Sequence, residues 1–273
     1  MNRTIVWIRR GLAAALLVGF FPALGNSQEP ADTLRQQFRL PQPSTFAVDE
    51  RGRWITPALS VGVPSGFGAD FGDAFIGANY QHRTRTFTNR DGAVFFGFGL
   101  GDAERLLGLE VAITSFGTVR SCCRGALNAK VHRVIPGDAS VAVGVESAAT
   151  WGVTDGLTSV YAVGTKIFIL RPDPGSFLGT LALTAGAGNG RFKTRDDLIE
   201  DRQAINPFGS VGVRLMPQAS AVTTWTGHDL NVGLSLVPLR NTPLFITPAV
   251  VDLTTRPRFV IGAGLGFNYA SLF

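Results

Sequence analysis

From about residue 54 onward the chain reads as short runs of period two, each bounded by Gly, Pro, Asp or Asn. The alternation predicts β-strands near 58–63, 74–83, 93–101, 107–116, 126–135, 140–149, 158–170, 178–188, 207–216, 219–226, 229–237, 244–253 and 258–272. Within them the two faces differ in bulk. Val94, Phe96, Phe98 and Leu100 oppose Ala93, Phe95, Gly97 and Gly99, and in the next run Leu107, Leu109, Val111 and Ile113 oppose Gly108, Glu110, Ala112 and Thr114. Val141, Val143 and Val145 oppose Ala142, Gly144 and Glu146, while Tyr161, Val163, Ile167 and Ile169 oppose Ala162, Gly164, Lys166 and Phe168. The closing run "FVIGAGLGFNYASLF" puts Phe259, Ile261, Leu265, Phe267, Tyr269 and Phe273 on one side and mostly glycine and alanine on the other.

In a soluble sandwich the non-core face would carry many Lys, Glu, Thr and Ser residues. Here it carries glycine and alanine, with one charge near the centre of several strands. That suits a barrel whose bulky side chains meet hydrocarbon and whose small ones line a crowded, partly polar lumen. The connections agree. "GDAER", "IPGDAS", "RPDPGS", "MPQ" and "PLRNTP" are tight, whereas "RTRTFTNRDG", "FGTVRSCCRG", "ATWGVTDG" and "GNGRFKTRDDLIEDRQAIN" are mostly longer and more polar. The expected fold is therefore all-β, a transmembrane antiparallel up-and-down barrel of about 12 strands, with 14 as the alternative. Thirteen runs cannot close a barrel with both termini on the periplasmic side, so 58–63 lies outside it or pairs with a further strand. In 219–226 and 244–253 the alternation is ambiguous, and Pro248 removes a ladder donor, which predicts an irregular segment or a bulge.

Charge on the small-residue face sharpens the picture. Glu110, Lys130, Glu146 and Lys166 fall near mid-strand with alternating sign, His132 follows Lys130 by two places, and Arg214 sits on a later strand. Neighbouring strands lie ~4.8 Å apart, so these side chains form a lateral ladder inside the barrel. Such a ladder is either structural or an ion-selective constriction.

The amino terminus changes the charge account. "MNRTIVWIRR", then "GLAAALLVGFF", then "PALG" has the order of a secretory signal peptide, with cleavage after Gly25. The apolar run is shorter than the ~20 residues of a spanning helix. Loss of Arg3, Arg9 and Arg10 lowers the formal balance from +5 to about +2, too small to imply a nucleic-acid partner. Residues 26–53, polar and proline-bearing, read as a periplasmic segment or linker, and 54–273 as the barrel. No later stretch is long and apolar enough for a helical span. Charged residues are 16% of the chain against a usual ~25%, so part of the surface faces something other than water.

Little of the sequence offers chemistry. Cys122 and Cys123 are adjacent and cannot form a folding framework. His82, His132 and His228 lack metal-site spacing, and no segment marks a Ser–His pair, so neither an enzyme nor a cofactor is expected. "GFGLGDAER" and "AGAGNGRF" follow strands without opening a helix to receive a phosphate. The long loops, "QHRTRTFTNR" and "RFKTRDDLIEDR", carry arginines and acids suited to lipopolysaccharide phosphates, a partner or plain solubility.

With its signal peptide, alternating strands and terminal "GLGFNYASLF", the chain resembles bacterial outer-membrane β-barrels. The resemblance implies an assembly signal at Leu265, Phe267, Tyr269 and Phe273, read by the barrel-assembly machinery, with Ser271 departing from the pattern. "GLGDAERLLGLEVAITSF", "NPFGSVGVRL", "TWTGHDLNVGLSLVPLRNTPLFITPAVVDLT" and "RFVIGAGLGF" resemble a narrower uncharacterised group of such barrels, and more distantly outer-membrane proteins of exopolysaccharide export. The expected function is a small channel or envelope component for polar solutes or polymer export, with outer-membrane lipid and lipopolysaccharide or polysaccharide as partners. The alternative is a structural or adhesive barrel with a plugged lumen and working loops.

Overall fold

The computed structural model describes residues 58, 60–83, 90–116, 124–152, 157–194, 196, 197, 200, 202–239, 242 and 244–268. The signal-peptide residues, the 26–53 segment, Cys122, Cys123, Tyr269 and Phe273 lie outside them.

Twelve strands form one closed antiparallel barrel. In chain order they are β1 (Asp73–Gln81), β2 (Asp91–Gly101), β3 (Gly108–Phe116), β4 (Gly125–Ile135), β5 (Ala139–Trp151), β6 (Ser159–Ile169), β7 (Thr180–Gly188), β8 (Asn206–Met216), β9 (Ala219–Trp225), β10 (Leu230–Leu236), β11 (Leu244–Val251) and β12 (Arg258–Asn268). Each strand pairs with its chain neighbours, and β1 closes the ring on β12 from Asp73↔Asn268 to Gln81↔Val260. Closure leaves no sheet edge, as a wall in hydrocarbon requires.

The outward side chains are large and apolar. Phe96, Ile113, Val143, Val160, Leu234 and Phe259 are all exposed there. Bulky apolar side chains outward on a closed wall are the pattern of a transmembrane barrel. Tyr80, Trp151 and Trp225 stand outward at the long-loop ends of β1, β5 and β9, where amphipathic rings suit a headgroup level. Leu265 and Phe267 also point outward on β12.

Local irregularities have local causes. Between β4 and β5 the register shifts at Leu127/Ala129, and Ser147 on β5 takes a positive φ of 53°. At Pro248, in contrast, the register of β10 against β11 is constant on either side, Val232↔Val250 and Leu236↔Ile246. The proline interrupts the ladder without the bulge its position predicts, because its outward ring replaces only one donor.

The 58–63 run is not a strand. Residue 58 and residues 60–70 enter the barrel from the short-turn end, where β1 begins, and lie within the lumen. Ala58 is 2% exposed, Val63 3% and Ala69 0%. The alternation there reflects packing inside a tube, with no strand to pair with.

Candidate functional site: the filled lumen

Each part of the 58–70 segment is held by a different piece of wall. Near the short-turn end the Ala69 amide donates to Glu110 Oε2 on β3 at 3.0 Å, and Lys130 Nζ on β4 donates to the Phe67 carbonyl at 2.8 Å. Glu110 and Lys130 face each other across the β3–β4 register, 3.2 Å apart from Oε1 to Nζ. His132, two residues along the same face of β4, places Nε2 3.2 Å from Asp70 Oδ1. Asp70 Oδ1 also accepts the Ala103 amide at 3.0 Å.

Further round the wall the attachments are hydroxyls. Ser140 on β5 donates to the Gly66 carbonyl at 2.6 Å, and the Gly66 amide donates to Thr165 Oγ1 on β6 at 3.0 Å. Thr165 shares a hydrogen bond with Thr184 on β7. Ser235 on β10 accepts the Ala58 amide at 2.9 Å. Glycine at 66 is required by close approach, since a Cβ there would collide with the Ser140 carbonyl.

The tip of the segment is clamped by the β7–β8 loop. A short 3-10 turn, Gly190–Phe192, folds inward on the left-handed φ of 61° at Gly190. Phe192 stacks on Phe208 of β8, 4.3 Å between ring centroids, and both join Val63, Ala142, Tyr161 and Val163 in an apolar cluster. Arg191 pairs through Nε and Nη2 with the Glu146 carboxylate on β5, the latter at 2.8 Å, and donates from Nη1 to the Gly62 carbonyl at 2.9 Å. Burial works against the Arg191 charge, but the Glu146 carboxylate outweighs it and raises the guanidinium above its ordinary pKa.

The expected ladder is thus broken into separate sites. Only Glu110 and Lys130 pair from strand to strand. Glu146 turns to Arg191, which lies in the loop that reads as an external charged patch, and His132 turns to the inserted segment. Lys166 is not in the lumen at all. The inward face of β6 carries Tyr161, Val163, Thr165 and Ile167, and the outward face Val160, Ala162, Lys166 and Phe168. The expected facing of this strand is inverted. The rule that bulk faces lipid fails here because Val63, Phe67 and Phe192 give the inner face an apolar partner. Lys166 instead reaches the Gly137 carbonyl in the β4–β5 turn and lies over the Phe168 ring, near the barrel end. Arg214 does face inward from β8, 1% exposed.

The three histidines stay apart, but His228 falls beside Asp229 and Asp252 on neighbouring loops, all ligating atoms within 4.8 Å. Asp252 Oδ2 accepts Arg258 Nε at 2.7 Å, and Asp229 Oδ1 accepts the Thr254 and Thr255 hydroxyls, the latter at 2.6 Å. With a guanidinium on one carboxylate and two hydroxyls on the other, this is a staple between the β9–β10 and β11–β12 loops.

No protein family and no curated protein matches the chain. Among solved structures, a KdgM porin in complex with disordered oligogalacturonate matches at TM-score 0.43 and 11% identity, covering 71% of this chain and 98% of that one. A second KdgM porin structure matches at 0.43 and 9%, covering 71% and 98%. The outer membrane protein Omp33 of Acinetobacter baumannii matches at 0.39 and 9%, covering 72% and 98%.

Proposed function

We propose that this chain is an exported outer-membrane barrel that works as a channel for small polar solutes and rests in a closed state, its lumen occupied by residues 58–70. The observation that carries the reading is the chemistry of the attachment. The wall meets the inserted backbone through Glu110, Lys130, Ser140, Thr165 and Ser235. These groups exchange protein partners for water at little net cost, because water offers them equivalent hydrogen bonds. Lipid around the apolar belt, the assembly machinery at the final strand and lipopolysaccharide at the charged loops remain the fitting partners.

The second reading is a permanently plugged structural barrel. It draws on the tip clamp, where the Val63–Phe192–Phe208 cluster holds the segment by apolar contact that water does not replace, with the Arg191 bridge beside it. Planar-bilayer recording separates the two. The channel reading expects a silent or rarely opening wild type and stepwise conductance from a variant lacking residues 58–70. If that variant inserts as a heat-modifiable barrel and stays silent, the channel reading is wrong.

A further inference from the structure

The inserted segment satisfies one side of the lumen and leaves a different need on the other. Arg214 on β8 and Ser220 on β9 are cross-strand partners, both facing inward, 1% and 0% exposed. Arg214 Nε and Nη1 and Ser220 Oγ are buried and donate to no acceptor among the described residues. Lys130, Arg191 and Arg258 each meet a carboxylate, at Glu110, Glu146 and Asp252. Arg214 meets none among the described residues. The hydroxyls flanking the pair are already engaged, Thr180 with the Pro174 carbonyl at 2.8 Å and Ser235 with the Ala58 amide at 2.9 Å.

We propose that Arg214 and Ser220 form an oxyanion-binding site in the lumen wall. A guanidinium has donors only, and it keeps its charge in any protein environment, so it cannot escape burial by losing a proton. A buried charge without a counter-charge is strongly unfavourable, and a neutral acceptor relieves only part of that. One edge of the guanidinium and the Ser220 hydroxyl beside it call for several acceptor atoms on one small negative group. A carboxylate, phosphate or sulfate provides them, and chloride does not. Arg214 lies two residues from the end of β8, so the site is close to the short-turn mouth of the barrel. It binds a solute that enters from that mouth, and it stands whether or not the barrel conducts.

The test uses the full-length barrel in a zwitterionic detergent, melted in increasing potassium phosphate against potassium chloride at matched ionic strength and pH. The wild type should gain a saturating rise in Tm of about 3 °C. Arg214→Met should abolish the rise and Ser220→Ala should reduce it. A parallel titration with acetate tells whether a carboxylate suffices or the site prefers phosphate. An equal rise in wild type and Arg214→Met would mark a general salt effect and overturn the site. No rise with either anion in the wild type would mean that water alone serves these donors. Should Arg214→Met not fold, Arg214→Gln removes the charge and keeps a polar side chain, and an unchanged phosphate response in that variant also refutes the assignment.

Discussion

The two sides of the lumen handle the same problem differently. On the β3–β4 side, Glu110 and Lys130 neutralise each other and are completed by the Ala69 amide and the Phe67 carbonyl of the inserted segment. On the β8–β10 side the wall is mostly hydroxyl and amide, with Ser210, Ser220, Thr224, Asn231 and Ser235 buried, and its one deep cation, Arg214, stands without a described carboxylate. Charge is tolerated on the first side because the chain itself supplies matching dipoles. On the second side the segment supplies the Ala58 amide to Ser235, and Arg214 meets no carboxylate among the described residues. The contrast teaches that the 58–70 segment is part of the barrel's polar accounting as well as an obstruction.

The sharpest break of this contrast is loss of one partner from the buried pair. Glu110→Gln should destabilise the barrel by about 3 kcal/mol, because Lys130 is left charged and out of water. Thermal melting of the refolded protein reads this, and the double variant with Lys130→Met should recover most of the loss. If the single variant melts like the wild type, the pair is wetter than its burial implies.

Next in size, Arg191→Ala should cost about 2 kcal/mol by leaving Glu146 without its counter-charge and the Gly62 carbonyl without its donor. It should also raise the proteolytic sensitivity of the 58–70 segment, and an unchanged digestion pattern would argue against the clamp. Gly66→Val acts sterically, since its side chain has no room beside the Ser140 carbonyl. It should cost about 1–3 kcal/mol and, on the channel reading, raise open probability in bilayers. The smallest expected effect belongs to Lys166. Its replacement by Gln should change stability by less than about 0.5 kcal/mol and leave any conductance selectivity as it was, because its ammonium lies outside the lumen. A selectivity change on that substitution would restore the strand-to-strand ladder.

Much of the barrel is legible in the alternation. Val94, Phe96, Phe98 and Leu100 face outward as their pattern requires, and the partnership of Glu110 with Lys130 follows from two inward charges on adjacent strands. The same reasoning fails at β6, where Tyr161, Val163 and Ile167 look like a lipid-facing set and face the lumen instead. It fails again at Arg191, which sits in a loop rich in arginines and acids that reads as solvent-exposed. One signal for that loop is present in the sequence: Phe192 is the aromatic of a mostly charged and polar connection, and such a residue needs somewhere apolar to go. No local signal exists for Asp70 meeting His132 or for Asp229 meeting Asp252, since those contacts depend on where the chain is carried.

By itself the sequence determined an up-and-down wall of about twelve strands, fourteen being the alternative, with its bulky exterior and the turns that set its direction, because period two and turn chemistry act over a few neighbouring residues. What fills the tube, which inward charges find partners and which way β6 faces were decided only by the tertiary structure. An inner face is read against whatever lies opposite it, and in this protein that is a stretch of the chain's own beginning, brought there through space.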